Sequence, residues 1–374
     1  VGGDINAKSL RATEHTLRAN GLDGHFVTLN ADIGDPAEYA LSIKKATGAH
    51  RAIHHIRSFL DHDRPFRYPV DSTALERKAA ANERTRSKYL CELYSGHSVD
   101  RARSDPITGE LLSQSLVEHL GKWADVLRHE DSMTVLEVHT VPIPIACDDG
   151  SEHASSADPR TNMGIYFDTV QALSCQHLVD ARIWLACMAE TGLFAARSTM
   201  RVFGQQDLPP RITLARWTRR AYKVRCIGHE DVEAILELER LRWREEEQYG
   251  KPRLERFVDS RDSFVMENDG RVIGYALAQR IHGDDSVARI GSETMWTNEA
   301  DLATASGDVL QLLRITAHPE EVSIPVGSEL RDFALQHALM CGLTRVFGVT
   351  RTSDFGNAAI VDPTISYDSY VNAH

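Results

Sequence analysis

The sequence predicts an α/β protein of two units, and three observations carry this prediction. Patterns typical of strands and helices alternate in the first part of the chain, which favours a doubly wound sheet with parallel neighbouring strands. The polar run GQQDLPPRI, residues 204–212, contains two prolines and is typical of a linker. Beyond it, the pair Asp269-Gly270 separates two strand patterns and indicates a hairpin in a second sheet.

The first unit is predicted to span residues 1–203. Apolar runs bounded by turn residues predict four strands: Val1–Asn6, His25–Leu29, His50–Phe59 and Met133–Thr140. Amphipathic or apolar stretches predict four helices: Ala7–Asn20, Ser72–Tyr94, Gly109–His129 and Phe167–Thr191. A further helix is predicted to begin at Asp35-Pro36, because aspartate caps free N–H groups and proline suits the first helical position.

The second unit is predicted to cover residues 221–374, after a linker at residues 204–220. Its elements follow the order strand, helix, hairpin, strand, helix, strand. The segments are Ala221–Ile227, Glu230–Trp243, Ser263–Met266 with Val272–Ile281, Val309–Thr316, Ser328–Met340 and Thr344–Thr350. This order differs from that of the first unit, so we expect two differently built sheets.

Composition narrows the function classes. The chain has 374 residues, 42% hydrophobic and 26% charged, which indicates a soluble globular protein of two domains. It has no signal peptide and no apolar run of about 18 residues, so we expect a cytoplasmic protein with no membrane partner. The net charge of −12 argues against nucleic acid as a partner. The six scattered cysteines predict free thiols, and the lack of an initiator methionine indicates a piece of a longer protein.

The second unit resembles the GNAT acyltransferase fold. Three segments carry the resemblance: VRCIGHEDVEAILELERLRW, FVMENDGRVIGYALAQ and LQLLRITAHPEEVSIPVGSELRDFAL. It implies a loop and a helix start, at Val326, Gly327 and Ser328, whose N–H groups face the pyrophosphate of a coenzyme A or phosphopantetheine thioester. Typical members carry Gln or Arg and a small residue where this chain has Ile324 and Glu329. The departure favours a carrier-bound phosphopantetheine arm over an ordinary acetyl-CoA-dependent acetyltransferase.

Within the GNAT group, the second unit resembles the loading domains of modular polyketide synthases, of the curacin and gephyronic acid type. Five segments carry this resemblance: ELERLRW, LQLLRITAHPE, PVGSELRDFAL, GVTRT and YVNAH. The resemblance implies decarboxylation of a malonyl or methylmalonyl thioester on an acyl carrier protein, beside neighbouring synthase domains. It implies that Thr350, His374 and Trp243 are catalytic, with an arginine beyond the last residue.

The chemistry accounts for these residue types. Loss of CO₂ from a malonyl thioester leaves an enolate, and a threonine hydroxyl and a histidine N–H can donate to its oxygen, each contributing about 3 kcal/mol. His374 can then protonate the carbanion. Trp243 can close the pocket and exclude water.

The first unit resembles part of a class I methyltransferase. GGDIN and NADIGDP match two strand ends of that fold, which implies that Asp4 holds the ribose and Asp32 lies near the adenine of S-adenosylmethionine. Ligands of doubly wound sheets lie at the carboxyl ends of strands. The glycine-rich first strand of that fold does not precede Val1, so the resemblance covers the fold only in part.

A metal site is predicted in the same unit, because carboxylate, imidazole and amide ligands suit an octahedral iron or manganese ion. LDHD, LEVHT and SCQH resemble the metal set of apratoxin-type methyltransferases. The set would be Asp63, His139 and Gln176, with Asp61 as the alternative acid. Such an ion could grip a malonyl group and stabilise its enolate for methylation.

Four functions therefore compete. The leading one is a GNAT-like decarboxylase of a loading module, behind a methyltransferase-like adaptor. The second is a metal- and S-adenosylmethionine-dependent C-methyltransferase that acts on malonyl-carrier protein, with a degenerate GNAT-like neighbour. The third is an ordinary acetyltransferase, and the fourth is a non-catalytic scaffold that docks a carrier protein.

Overall fold

The computed structural model describes residues 1–48, 52–89, 98–100, 103, 105–127, 131–140, 169–204, 209–283, 302–304, 307–343 and 345–348. Their helices and their two five-stranded sheets confirm the α/β class. Within these residues no helix combines the length and the apolar character that a bilayer crossing requires.

The chain begins with two short parallel strands and their helices. β1 (Gly2–Asp4) pairs with β2 (Thr28–Asn30), and each is followed by a helix, α1 (Ala7–Ala19) and α2 (Pro36–Thr47). As predicted, Asp35 caps α2, since its carboxylate accepts from the Glu38 N–H at 3.2 Å. Both strands therefore end at the same edge, as a parallel pair requires.

A second sheet has the strand order β3-β6-β9-β7, with β8 also paired to β9. The strands are β3 (His54–Ser58), β6 (Ser132–Val138), β7 (Leu193–Ala195), β8 (Arg201–Phe203) and β9 (Ile212–Arg219), and a separate pair is formed by β4 (Ser98–Asp100) and β5 (Asp105–Ile107). β3 and β6 are parallel, as predicted, but β9 is antiparallel to β6.

β9 occupies Ile212–Arg219, so about half of the predicted linker, residues 204–220, lies in a strand. Its side chains alternate between the core and the surface, and Thr213, Ala215 and Trp217 are buried. This alternation is that of a half-buried strand. The predicted linker continued beyond the prolines at 209 and 210, whereas β9 begins two residues after the second proline.

Three helices cover the second sheet: α3 (Ser72–Tyr89), α4 (Gly109–Val126) and α5 (Ala181–Glu190). The single helix predicted over Phe167–Thr191 is wrong, because α5 begins only after Asp180, whose carboxylate caps the Ile183 N–H at 2.8 Å. Residues 169–173 are a separate helical segment, and an extended stretch, residues 176–179, precedes α5. Its backbone contacts other chain segments, with His177 N–H donating to the His62 carbonyl at 2.6 Å.

The second unit is built on one five-stranded sheet in sequential order, β10-β11-β12-β13-β14. The strands are β10 (Tyr222–Cys226), β11 (Phe264–Asn268), β12 (Arg271–Ile281), β13 (Val309–Ala317) and β14 (Arg345–Gly348), with helices α6 (Val232–Arg242), α7 (Lys251–Leu254) and α8 (Val326–Met340). All pairs are antiparallel except β13 with β14. The hairpin at Asp269-Gly270 is confirmed, with both residues at positive φ.

The two units share one hydrophobic core. Phe194 of β7 packs against Tyr222 of β10 and Phe333 of α8, with ring centroids 4.8 and 6.3 Å apart. Gln336 of α8 donates to the Ala195 carbonyl at 3.0 Å. Apolar side chains from both units belong to the same buried cluster, so the units are fixed against each other by packing rather than joined by a free linker.

Candidate functional site

A large opening in the second unit lies where β13 and β14 part. The two strands pair from Val309 with Arg345 to Leu312 with Gly348, and β13 then continues to Ala317. A cavity of about 820 Å³ lies along this opening. Its wall includes Trp243, Tyr249, Arg314, Arg331 and Leu335. Its volume is in the range of small-molecule and cofactor sites.

A buried hydrogen-bond network centred on Glu239 of α6 supports one wall of this cavity. One carboxylate oxygen accepts from the Arg314 guanidinium at 2.6 Å and from the Tyr249 N–H at 2.7 Å. The other oxygen accepts a short hydrogen bond from the Tyr275 hydroxyl. Glu239 is fully buried, so both oxygens need these partners.

The network extends to Trp243, the tryptophan predicted to be catalytic. Its Nε1–H donates to Thr316 Oγ1 at 2.9 Å, and the Thr316 hydroxyl donates to Tyr275 at 2.9 Å. The Arg314 guanidinium lies over the Trp243 ring, 4.0 Å from its centroid. A cation over an indole face is attractive. Trp243 is therefore held in one orientation at the cavity wall.

Burial raises the pKa of Glu239, and the Tyr249 N–H and Arg314 only partly offset this effect. Arg314 also donates to the Glu247 carbonyl at 2.9 Å and lies over the Tyr249 ring. The guanidinium thus has a carboxylate, a carbonyl and two aromatic faces around it. It stiffens the wall between α6 and β13.

The predicted pyrophosphate turn forms the start of α8. The helix begins at Val326, whose N–H donates to the Ile324 carbonyl at 2.8 Å. Within the described residues, the N–H groups of Gly327 and Ser328 have no acceptor. A side chain at Gly327 would meet nothing within 4 Å, so the space in front of this turn is open. Free N–H groups at a helix start suit an anion.

Thr350 and His374 lie outside the described residues. Thr350 follows the end of β14 by two positions in the sequence. Their roles therefore stay predictions.

In the first unit, Asp4 and Asp32 follow the two neighbouring parallel strands β1 and β2. The Ala31 N–H donates to the Asp4 carbonyl at 3.1 Å, which ties the two strand ends together. Asp4 accepts from the Asn6 N–H at 2.7 Å, and Asp32 accepts from the Gly34 N–H at 2.7 Å. Both side chains are half-buried and lie at one edge of the strand pair.

A buried ion cluster lies at the end of β3. Asp61 forms a short ion pair with Arg57 and contacts His119 Nε2 at 3.3 Å. Burial alone would raise the pKa of Asp61, but Arg57 and His119 outweigh it and hold the pKa below its ordinary range. Burial lowers the pKa of His119 to about 4. Close by, His62 forms a short contact with Glu137.

The three residues of the predicted metal set have different surroundings. His139 is fully buried and its Nε2 lies 2.8 Å from Thr213 Oγ1, while its Nδ1 has no hydrogen-bond partner among the described residues. Asp63 is exposed, and Gln176 is half-buried in the extended segment rather than on the predicted helix. Burial lowers the pKa of His139 to about 3, so the ring is neutral, as a metal ligand must be. The set stays a prediction.

Among the described His, Cys, Asp and Glu side chains, a different group lies close enough together to hold a metal ion. It consists of Asp262, His337 and Cys341 in the second unit. Asp61, the alternative acid of the predicted set, is already engaged by Arg57 and His119.

A protein-family model described as "AprA MT2-like domain" (Methyltransf_36) matches residues 1–215, more than half of the chain. The chain belongs to this family. The match runs into β9, so the AprA MT2-like part includes the strand that the sequence had assigned to the linker. The two-part fold class and the suspected resemblance are thereby confirmed for this part of the chain.

Solved structures resemble part of the chain. The loading GNAT-like domain of CurA from Lyngbya majuscula is 28% identical, with 37% of this chain and 69% of that chain covered and a TM-score of 0.34. The GphF GNAT-like decarboxylase in complex with isobutyryl-CoA is 28% identical, with 41% and 76% covered and a TM-score of 0.37. Ard1 from Thermoplasma volcanium is 15% identical, with 38% and 81% covered and a TM-score of 0.27. No curated protein matches the chain.

The sequence did not reveal the residues that support the cavity of the second unit. Glu239, Tyr275, Arg314 and Thr316 come from three elements that are distant in sequence. One signal was present: Arg314 interrupts the apolar run LQLLRIT, and a buried arginine in a strand requires a partner. The partner could not be identified without the fold.

Proposed function

We propose that this chain decarboxylates a malonyl or methylmalonyl thioester on an acyl carrier protein, in the cavity between β13 and β14. One observation carries the proposal. Of the five segments that resemble polyketide synthase loading domains, four contribute residues to the wall of this cavity: Trp243, Arg314, Arg331 and Gly348 are one from each. Most of the segments that carry the resemblance therefore line this cavity.

The start of α8 supports the orientation of the thioester. The free N–H groups of Gly327 and Ser328 suit the phosphate of a phosphopantetheine arm, and Arg331, one turn further along α8, lies on the cavity wall. An arm bound there by its phosphate can extend along the cavity past Leu335. Its thioester then reaches the region where β14 ends.

The bond changes are simple. The bond between the carboxylate carbon and the α-carbon breaks, CO₂ leaves, and the electron pair forms an enolate on the thioester oxygen. Thr350 and His374 are proposed to donate hydrogen bonds to that oxygen, and His374 to transfer a proton to the α-carbon. Trp243, held by Thr316 and Arg314, keeps the pocket closed to water.

The mass of the acyl group on a carrier protein tests the proposal. Malonyl and methylmalonyl groups are loaded onto the carrier, the full chain is added with and without S-adenosylmethionine, and the acyl group is weighed. Loss of CO₂ without S-adenosylmethionine supports the proposal. An unchanged acyl group contradicts it and favours a docking scaffold.

A second candidate, a C-methyltransferase acting on the same carrier-bound group, has its own support. The family match covers residues 1–215, and Asp4 and Asp32 lie together at the ends of β1 and β2. When bound there, S-adenosylmethionine would supply the methyl group, and the two carboxylates would hold its ribose and adenine. In the mass experiment this candidate predicts the gain of a methyl group that depends on S-adenosylmethionine.

A further inference from the structure

Four charged or ionisable side chains meet at one end of α8, away from the cavity wall. Asp262 precedes β11, Arg280 lies on β12, and His337 and Cys341 are one turn apart on α8. His337 Nε2 lies 2.8 Å from Asp262 Oδ1 and 3.4 Å from Cys341 Sγ. The helix spacing places imidazole and thiol on the same face.

Arg280 completes the group. Its Nε lies 3.1 Å from one Asp262 oxygen and its Nη2 lies 3.1 Å from the other. Asp262 and His337 are buried, whereas Cys341 is partly exposed.

The charges of this cluster balance with a Cys341 thiolate when His337 is protonated. Asp262 and a Cys341 thiolate carry two negative charges, and Arg280 and a protonated His337 carry two positive ones. Other charged groups near it are Arg182 of α5, paired with Asp180 at 3.3 Å, and Arg261. Arg182 and Asp180 neutralise each other, and Arg261 adds a further positive charge near Asp262.

The same three ligand types could also hold a metal ion, but the arrangement disfavours one. Arg280 already grips the Asp262 carboxylate, and a divalent ion would place further positive charge beside the guanidinium. The His337 nitrogen that faces both Asp262 and Cys341 would also have to lose its proton.

We propose that Cys341 is a modification site, a nucleophilic thiolate held by His337 and Arg280 that reacts with soft, alkylating electrophiles. In the reaction with iodoacetamide, the sulfur lone pair forms a bond to the CH₂ carbon and iodide leaves with the carbon–iodine pair. No proton has to move, because the sulfur is already ionised. The proposal is independent of the proposed decarboxylation.

The ionisation behaviour agrees with this geometry. Burial alone would raise the pKa of Cys341, but His337 and Arg280 outweigh it and lower the pKa to about 7. Burial alone would lower the pKa of His337, yet Cys341 and Asp262 raise it to about 9. Cys226 is the matched control, since it is also partly exposed while burial raises its pKa to about 12.

The test is the rate at which each cysteine of the folded full chain is alkylated by iodoacetamide, followed by peptide mass mapping over a range of pH. At neutral pH, Cys341 is expected to react at least about tenfold faster than Cys226, after allowance for its lower intrinsic nucleophilicity. Equal rates and equal pH profiles for the two cysteines in the wild type would overturn the proposal.

Two variants and one probe sharpen the result. His337→Gln is expected to move the pH profile of Cys341 towards alkaline pH, while Arg280→Lys, which keeps the positive charge, leaves the profile nearly in place. An unchanged profile in folded His337→Gln counts against the proposal. Co²⁺ is added as a separate probe: a thiolate charge-transfer band that Cys341→Ser abolishes would show a metal site and overturn the proposal.

Discussion

The two units each bury a carboxylate beside an arginine, but the two clusters differ in completeness. Glu239 of the second unit has hydrogen-bond partners on both oxygens. Asp61 of the first unit has none on Oδ2 among the described residues, and Nε of Arg57 is similarly without one. Buried polar groups normally find partners, so the cluster around Asp61 is less completely paired within the described residues than the network around Glu239.

The cavities beside the two clusters differ in volume, and the larger cavity lies beside the fully paired cluster. The cavity next to Glu239 has a volume of about 820 Å³, whereas the pocket beside His119 and Arg64 has about 30 Å³. The smaller pocket holds little more than a water molecule. A satisfied network beside a large cavity is suited to supporting a wall, and this contrast supports the proposal that the thioester binds in the second unit.

The largest expected effect comes from breaking the satisfied network. Glu239→Ala leaves the buried Arg314 cation without its carboxylate and removes the acceptor of Tyr275. We expect the free energy of unfolding to fall by about 3–5 kcal/mol, measured by urea titration.

The control for that variant is Glu233→Ala. Glu233 pairs with Lys251 on the surface, with both side chains more than half exposed. Its removal should leave the free energy of unfolding unchanged within error. If both variants behave alike, the network around Glu239 does not stabilise the cavity wall.

The next effect concerns the dependence of stability on pH. The folded pKa of Asp61 lies below the ordinary value of 3.8, so the native state binds fewer protons than the unfolded state near that pH. Its contribution is present above pH 3.8 and is lost as the pH falls through the folded pKa. Asp61→Asn is therefore expected to flatten the acid side of the stability curve and to cost about 1–3 kcal/mol at neutral pH.

Urea titrations of wild type and Asp61→Asn across the acid range provide the check. Parallel curves for the two proteins would mean that Asp61 is not held ionised by Arg57 and His119.

A smaller effect is expected at Trp243. Trp243→Phe removes the hydrogen bond to Thr316 but keeps an aromatic ring over Arg314, and it should cost about 1 kcal/mol of unfolding free energy. Trp243→Ala opens the wall and should slow CO₂ release more than Trp243→Phe does. Equal rates for the two variants would show that the ring does not close the pocket.

The smallest effect on stability is expected at Gly327. Gly327→Ala adds a methyl group into open space, so stability should stay equal or rise by up to about 1 kcal/mol. The same methyl group would approach a phosphate bound to the helix start, and the affinity for coenzyme A, measured by calorimetry, should fall. An unchanged affinity would remove α8 from the phosphate site.

The sequence predicted most elements because their signals are local. The cap at Asp35 and the Asp269-Gly270 turn depend on neighbouring residues, and the structure contains both. The errors arose where contacts with distant segments of the chain determine the local structure. The stretch before α5 is extended because it pairs with Thr140, and β9 is a strand because it completes the sheet beside β6.

The candidate site shows the same division. Trp243 and the start of α8 were found by their resemblance to a known family. The partners of Trp243, and the cluster around Cys341, join elements that are far apart in the chain and have no common pattern. Such sites depend on the tertiary fold, which spacing alone does not reveal.

The most direct test of the central claim compares the rates at which variants of the first unit and variants of the second unit release CO₂ from malonyl-carrier protein. Thr350→Val and His374→Ala should each slow release by roughly 100-fold, since each removes a donor to the enolate oxygen. Asp61→Asn in the first unit should leave the rate close to that of wild type. Full activity of the double variant Thr350→Val and His374→Ala, or loss of activity confined to Asp61→Asn, would contradict the account.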